Sequence, residues 1–279
     1  MISVIFKLSF TSFKRYDAVL VGFAPQLILP LFGKKMKRSG CMITEDFFIS
    51  LYDTFCHDRK RFMPDSMIGR WLHKLDTRTL KAADEIICDT AAHAGYFTEE
   101  FGVSADRCKV LYIEADKDVY HPMNLDRIDV MAEYFGDVDL KDKKIALYFG
   151  SVLPLQGTDT VIEAMTELAT QGYICIFIGP ADNIDQAIYH RSWLPQLGLA
   201  KLIDISDICL AGHFNDRITK AHRTIPGKAF IYEAMHKPMV LGDNSANREY
   251  FEESDTVCFA HMSDADAIVE AVKMLSEKA

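Results

Sequence analysis

Two stretches of this 279-residue chain carry residue types at spacings that could do chemistry. The first, Phe149-Gly150-Ser151-Val152-Leu153-Pro154-Leu155-Gln156-Gly157-Thr158, runs from an apolar, strand-like segment into a helical one. Gly150 and Gly157 allow close backbone approach, and the N–H groups of a helix starting near Thr158 offer partial positive charge to a phosphate. An ordinary strand-to-helix connection reads the same way, so the loop needs support from elsewhere.

The second stretch supplies it. In Arg223-Thr224-Ile225-Pro226-Gly227-Lys228-Ala229-Phe230-Ile231-Tyr232-Glu233-Ala234-Met235, Pro226 and Gly227 mark a helix start. Lys228 then falls in the first turn and Glu233 near the end, both against the helix dipole. A charge placed so is expected where a ligand holds it, although exposed charges break this rule at a cost of only about a few tenths of a kcal/mol. Thr44-Glu45-Asp46-Phe47 follows an apparent strand in the front half, where carboxylates at a strand end can meet a substrate. Trp193 lies in a loop and could stack on a base or simply pack. Neither His57 nor His93 has a metal-ligand partner at i+4 or a Cys pair, so no zinc site is expected.

The elements that must position these residues change character along the chain. From Lys143 onward, the short apolar runs Ile145–Phe149, Tyr173–Ile178, Ile208–Ala211, Met239–Leu241 and Val257–Ala260 alternate with helical patterns at Thr158–Thr170 and Ala265–Lys278. Apolar residues at consecutive positions point to strands buried on both faces of a parallel sheet, hence an α/β fold with a doubly wound second half. In front, Ala18–Gly22, Cys41–Thr44, Glu85–Cys88 and Lys109–Tyr112 read as strands, with helices over Asp65–Ala83 and Ala91–Phe101. The polar segment from Glu114 to Asp142 reads as a linker, giving domains of 1–122 and 123–279.

Charge is unevenly divided. Residues 1–83 hold 14 Lys+Arg against 7 Asp+Glu, and the rest hold 17 against 33, within a net charge of −9. A basic front half fits an anionic partner or a merely solvated face. The cluster Lys34-Lys35-Met36-Lys37-Arg38 follows the apolar stretch Leu27–Phe32, which either dips into an anionic membrane surface or belongs to the core. No apolar run is long enough to span a bilayer, and no signal peptide is expected. Seven scattered cysteines fit a reduced, cytoplasmic setting better than a disulfide framework.

Four segments resemble the retaining glycosyltransferases of family 4: Ala83–Thr90, the Phe149–Gly157 loop with its helix, Ile225–Val240 and Gly242–Glu249. The resemblance implies a GT-B fold of two Rossmann-like domains, the N-terminal one incomplete, in a chain shortened at both ends. It implies transfer from a nucleotide-diphosphate sugar, without a metal or other cofactor, to a glycan or lipid-linked acceptor in cell-surface polysaccharide synthesis. Partners would be the donor, the acceptor and an anionic inner membrane face, but no nucleic acid. By this resemblance Glu233 would bond the donor ribose, and Lys228 with Arg223 would oppose the diphosphate. Gly150, Ser151, Gln156, Gly157, Trp193, Ser245, Ala246 and Asn247 would complete the donor site, and Glu45 or Asp46 would act on the acceptor side. Three positions depart from the family pattern: Ile225 where many members have a second glutamate, Ser151 for an arginine and Gln156 for a lysine. A non-catalytic nucleotide-sugar-binding subunit is the alternative, and a GT-B sugar-nucleotide epimerase a more distant one.

Overall fold

The structure, a computed structural model, describes residues 2–22, 24–182 and 184–278. The chain divides into two compact units, 1–112 and 113–279, ahead of the polar segment in which a boundary near residue 122 is expected.

Unit 1 runs α1 (Ile2–Phe10), β1 (Ala18–Val21), α2 (Pro25–Arg38), β2 (Met42–Asp46), α3 (Met67–Ala82), β3 (Glu85–Cys88), α4 (Ala91–Phe101) and β4 (Cys108–Val110). Its strands form one parallel sheet in the order β1-β2-β3-β4. Ser66 caps α3 by accepting the Gly69 N–H at 3.0 Å, and Thr90 caps α4 through the His93 N–H at 2.9 Å. Leu29, Phe32 and Met36 of α2 join Ile43, Ile86, Phe97 and Phe101 in the core. The expected strands and the helices α3 and α4 are present with small shifts at their ends. Two helices were not legible. In α2, Pro25 occupies the first turn, where its missing N–H costs nothing, and Pro30 lies inside the helix on its exposed side. The stretch Leu27–Phe32 therefore divides between core and surface: Leu29 and Phe32 are buried, while Leu27 and Leu31 are exposed.

Unit 2 runs α5 (Arg127–Phe135), β5 (Ile145–Phe149), α6 (Thr158–Thr170), β6 (Ile174–Ile178), β7 (Ile188–Arg191), α7 (Gln196–Ile205), β8 (Ile208–Gly212), α8 (Gly227–Ala234), β9 (Met239–Gly242), α9 (Ser245–Tyr250), β10 (Val257–Ala260) and α10 (Ala265–Lys278). All six strands are parallel, in the order β10-β9-β8-β5-β6-β7. The central strands β5, β6 and β8 are buried almost throughout, which accounts for their unbroken apolar runs. Val161, Met165 and Leu168 of α6 and Ile268, Val272 and Leu275 of α10 pack with Ala146, Phe177 and Leu210. From β5 the chain moves outward to β6 and β7, then returns to β8 on the other side of β5 and moves away to β9 and β10. The sheet thus reverses between β5 and β8. Ligands of such sheets bind beyond the carboxyl ends of the strands at this reversal.

Candidate functional site

At the reversal, β5 leads directly into Gly150 and β8 into His213. Their loops are bonded together: Phe214 N–H donates to the Gln156 carbonyl at 3.2 Å, and Asn215 Nδ2 donates to the Pro154 carbonyl at 2.7 Å. Gly157 is the hinge of this arrangement. Its φ of +66° is left-handed, and a Cβ there would come within 2.7 Å of the Phe214 carbonyl carbon. Gly179, after β6, is similarly confined, since a Cβ would run into the Gly150 carbonyl.

Lys228 enters this site from the first turn of α8. Its Nζ donates to Gln156 Oε1 at 2.8 Å and sits 3.9 Å from the centroid of the Tyr148 ring. Tyr148 Oη donates to the same Gln156 oxygen at 3.3 Å, so that amide oxygen orients both groups. Gly150 makes room for the ammonium: a Cβ would lie 2.9 Å from Nζ. Lys228 is 6% exposed, and burial drives its pKa well below the ordinary lysine range. His213 is also buried; desolvation, then the charges of Lys228 and Lys220, push its pKa down to about 3. Its Nδ1 has no hydrogen-bond partner among the described residues. The site is therefore built of nitrogen donors and a ring face, with a buried amine held on a neutral amide. The protonated form of such an amine is stabilised when an anion arrives.

The remaining expected donor residues are placed differently. Glu233 is exposed and lies five residues beyond Lys228, about 7.5 Å along α8 and about 140° around it. The residues that stack on Lys228's face at helical spacing are Ile231 and Tyr232. Glu233 instead accepts from Tyr250 Oη at 3.3 Å beside a cavity of about 430 Å³, lined in part by Ile113, Glu114, Lys117, Phe230 and His236. The structure does not bring Glu233 and Lys228 onto one face. Ala246 and Asn247 are fully buried, and Asn247 Nδ2 donates to the Gly212 and Gly242 carbonyls at 3.1 and 2.8 Å, joining the ends of β8 and β9. Ser245 is exposed, and its Oγ donates to the His222 carbonyl at 2.8 Å. Arg223 is half-buried in the turn before α8, and Ser151 is exposed beside Gly150. Trp193 is 74% exposed after the edge strand β7, two strand spacings or about 10 Å from β5.

In unit 1 the two expected carboxylates differ sharply. Glu45 is completely buried in β2 among Val21, Ile43 and Ile86, and neither of its oxygens has a hydrogen-bond partner among the described residues. Burial raises its pKa to about 8 against the opposing charge of Arg107, so it is largely protonated at neutral pH. Asp46, one residue on, faces a cavity of about 450 Å³ with Phe48, Ile49 and Leu51, and burial raises its pKa as well. Sequence reasoning missed the pair beside it. After β3, the Asp89 carboxylate meets His93 Nδ1 at 2.5 Å, both side chains buried. Its signal was legible: an Asp and a His at i and i+4 across a helix start. His213 gave no comparable signal, because its place depends on the sheet reversal.

Comparison with solved structures fixes the architecture. The Anabaena protein HepE, solved with UDP, superposes with a TM-score of 0.72 at 14% identity, over 98% of this chain and 72% of its own. Sucrose-phosphate synthase from Thermosynechococcus elongatus gives 0.68 at 12%, over 95% of this chain and 65% of its own. The chain has the GT-B fold. WaaG, a glycosyltransferase involved in lipopolysaccharide biosynthesis, gives 0.62 at 12%, over 87% of this chain and 71% of its own. No protein-family model and no curated protein sequence matches the chain. Among the described residues, no helix is long and apolar enough to cross a membrane, and no group of three His, Cys, Asp or Glu side chains could hold a metal ion.

Proposed function

We propose that this protein is a glycosyltransferase that binds a nucleotide-diphosphate sugar at the β5/β8 reversal of unit 2 and transfers the sugar, with retention, to a glycan or lipid-linked acceptor. The observation that supports it is the buried Lys228 amine, held on Gln156 beside Gly150 with no carboxylate against it among the described residues. An amine there opposes the charge that develops on a departing diphosphate, so Lys228 does the work for which other enzymes use a metal ion. HepE has been solved with UDP-glucose, and starch synthase IV from Arabidopsis thaliana with ADP, which suits a diphosphate ligand. Asp46, at the end of β2 beside a cavity of about 450 Å³, is the polar group of unit 1 suited to the acceptor side.

A second reading, a nucleotide-sugar-binding subunit without catalysis, is favoured by the burial of Glu45 and by the apolar Ile231 on Lys228's face. Calorimetry with UDP, GDP and ADP separates these readings from any other: binding of one supports a donor site, and failure of all three removes both. Release of free nucleotide from a bound sugar nucleotide, only when an acceptor glycan is added, then distinguishes the enzyme from the subunit.

A further inference from the structure

Helix α3 carries a basic row that nothing on the helix answers. Met67, Arg70, Trp71, Lys74, Arg78 and Lys81 are all exposed, and their spacing of three or four residues puts them on one face. Its four cations have no acid against them among the described residues. The one acid of α3, Asp76, is buried and taken by Ser50 Oγ at 2.7 Å and the Tyr52 N–H at 2.8 Å. In unit 2, α6 and α10 pack side by side, and near their C-terminal ends Tyr173 Oη donates to Ser276 Oγ at 2.8 Å. Their outward rows are acidic: Asp159, Glu163 and Glu167 on α6, and Asp266, Glu270 and Glu277 on α10, are all exposed. α6 has no Lys or Arg; of the two lysines of α10, Lys273 is half-buried and Lys278 pairs with Asp255 at 3.3 Å. The opposite charges share their spacing. Arg70, Lys74 and Arg78 stand four and four residues apart, as do Asp159, Glu163 and Glu167; Arg70, Lys74 and Lys81 stand four and seven apart, as do Asp266, Glu270 and Glu277.

We infer that α3 of one copy docks on the α6/α10 surface of a second copy, so that the chain self-associates through unlike surfaces. Both surfaces are exposed within one chain, and every copy brings the complementary charge at the same concentration. At about 1.5 Å per residue, Arg70 to Lys81 and Asp266 to Glu277 each span about 16 Å, so a helix laid along α10 meets carboxylates over its whole basic row. Trp71, 59% exposed and flanked by Arg70 and Lys74, has the composition of an interface anchor. Met67 beside it and Met274 on α10, 81% and 49% exposed, add apolar surface to be covered. A nucleic acid would answer the cations of α3 but leave the acidic rows of α6 and α10 unused. Because the two surfaces differ, the contact is head-to-tail and either closes into a ring of copies or continues as a chain. It is dominated by exposed charge, hence weak and sensitive to salt. The inference stands independently of the donor site, because none of these side chains belongs to it.

The test is sedimentation velocity of the full chain over a range of concentrations at low and at high salt. Association that grows with concentration and is lost at high salt is expected. Lys74→Glu together with Arg78→Glu should weaken it more than about ten-fold, and so should Glu163→Lys together with Glu270→Lys, because each pair sets like charges against one another. Trp71→Ser should weaken it about ten-fold. An equimolar mixture of the two charge-reversed variants should associate again, since the unchanged α3 of one meets the unchanged α6 and α10 of the other; a misfolded variant cannot restore the contact. A chain that stays monomeric at low salt, association that neither reversal weakens, or a mixture that stays apart overturns the inference. So does a monomer that binds an RNA oligonucleotide and loses it on Lys74→Glu with Arg78→Glu, which assigns the basic row to a nucleic acid.

Discussion

Lys228 and Gln156 lie 72 residues apart in sequence and meet at 2.8 Å, the amine donating to the amide oxygen over the face of Tyr148. The partner is neutral, so it orients the amine without neutralising it. Gln156→Ala should therefore weaken diphosphate binding, by about 1 kcal/mol, less than loss of the amine itself. Calorimetric affinities for UDP before and after the change check this.

The same burial gives a pH dependence. Because the Lys228 pKa is depressed in the free protein and an arriving diphosphate favours the cation, binding takes up a proton at any pH above that depressed value. Affinity for UDP should fall as pH rises above the depressed value. Lys228→Arg, whose guanidinium stays charged, should flatten that fall. Heats of binding measured in two buffers of different ionisation enthalpy report the proton uptake; equal heats would argue against it.

Glu45 couples stability to pH in unit 1. Its carboxyl is raised from the ordinary 4.5 to about 8, so the folded state holds a proton that the unfolded chain releases. Its contribution is fully present below about pH 4.5 and is lost as pH rises toward 8, over a range of a few kcal/mol. Glu45→Gln should raise the melting temperature at pH 8 and leave it nearly unchanged at pH 5. Asp76, raised to about 6, titrates lower and leaves the interval from pH 6 to 8 mainly to Glu45.

Much of the fold was legible in the sequence, and the reasons are local. β5, β6 and β8 announce themselves because strands buried on both faces need apolar residues at every position. Helix α5 did not stand out from its polar surroundings, although Asp126 caps it through the Ile128 and Asp129 N–H groups and Gly136 ends it. Helix α2 was masked by two prolines, one harmless at the first turn and one on the exposed side. The candidate site was legible where it depended on a helix start, as for Lys228. It was illegible where tertiary geometry decided. Facing into the core removes Glu45 from the surface, whereas the separation of Glu233 from Lys228 on α8 was readable from their five-residue spacing.

That separation has a consequence for Glu233. Glu233→Ala should change UDP affinity by less than about 0.5 kcal/mol, the scale of a surface substitution, and chiefly deprive Tyr250 of its acceptor. A loss of about 1.5–3 kcal/mol, equal for uridine and UDP, would return the carboxylate to the ribose.

Asn247 should matter for stability. Asn247→Ala leaves the Gly212 and Gly242 carbonyls without its two hydrogen bonds, and a loss of about 2–3 kcal/mol in denaturant unfolding is expected.

The central claim is that the buried amine at the β5/β8 reversal receives a diphosphate. Its most direct measurement is calorimetry of Lys228→Ala beside the unaltered chain, with UDP, GDP and ADP and the corresponding nucleosides. The account predicts that one diphosphate binds the unaltered chain, that the substitution costs about 1.5–3 kcal/mol for it, and that its nucleoside is affected much less. Equal losses for nucleoside and diphosphate, or no binding of any of the three diphosphates to the unaltered chain, would contradict it.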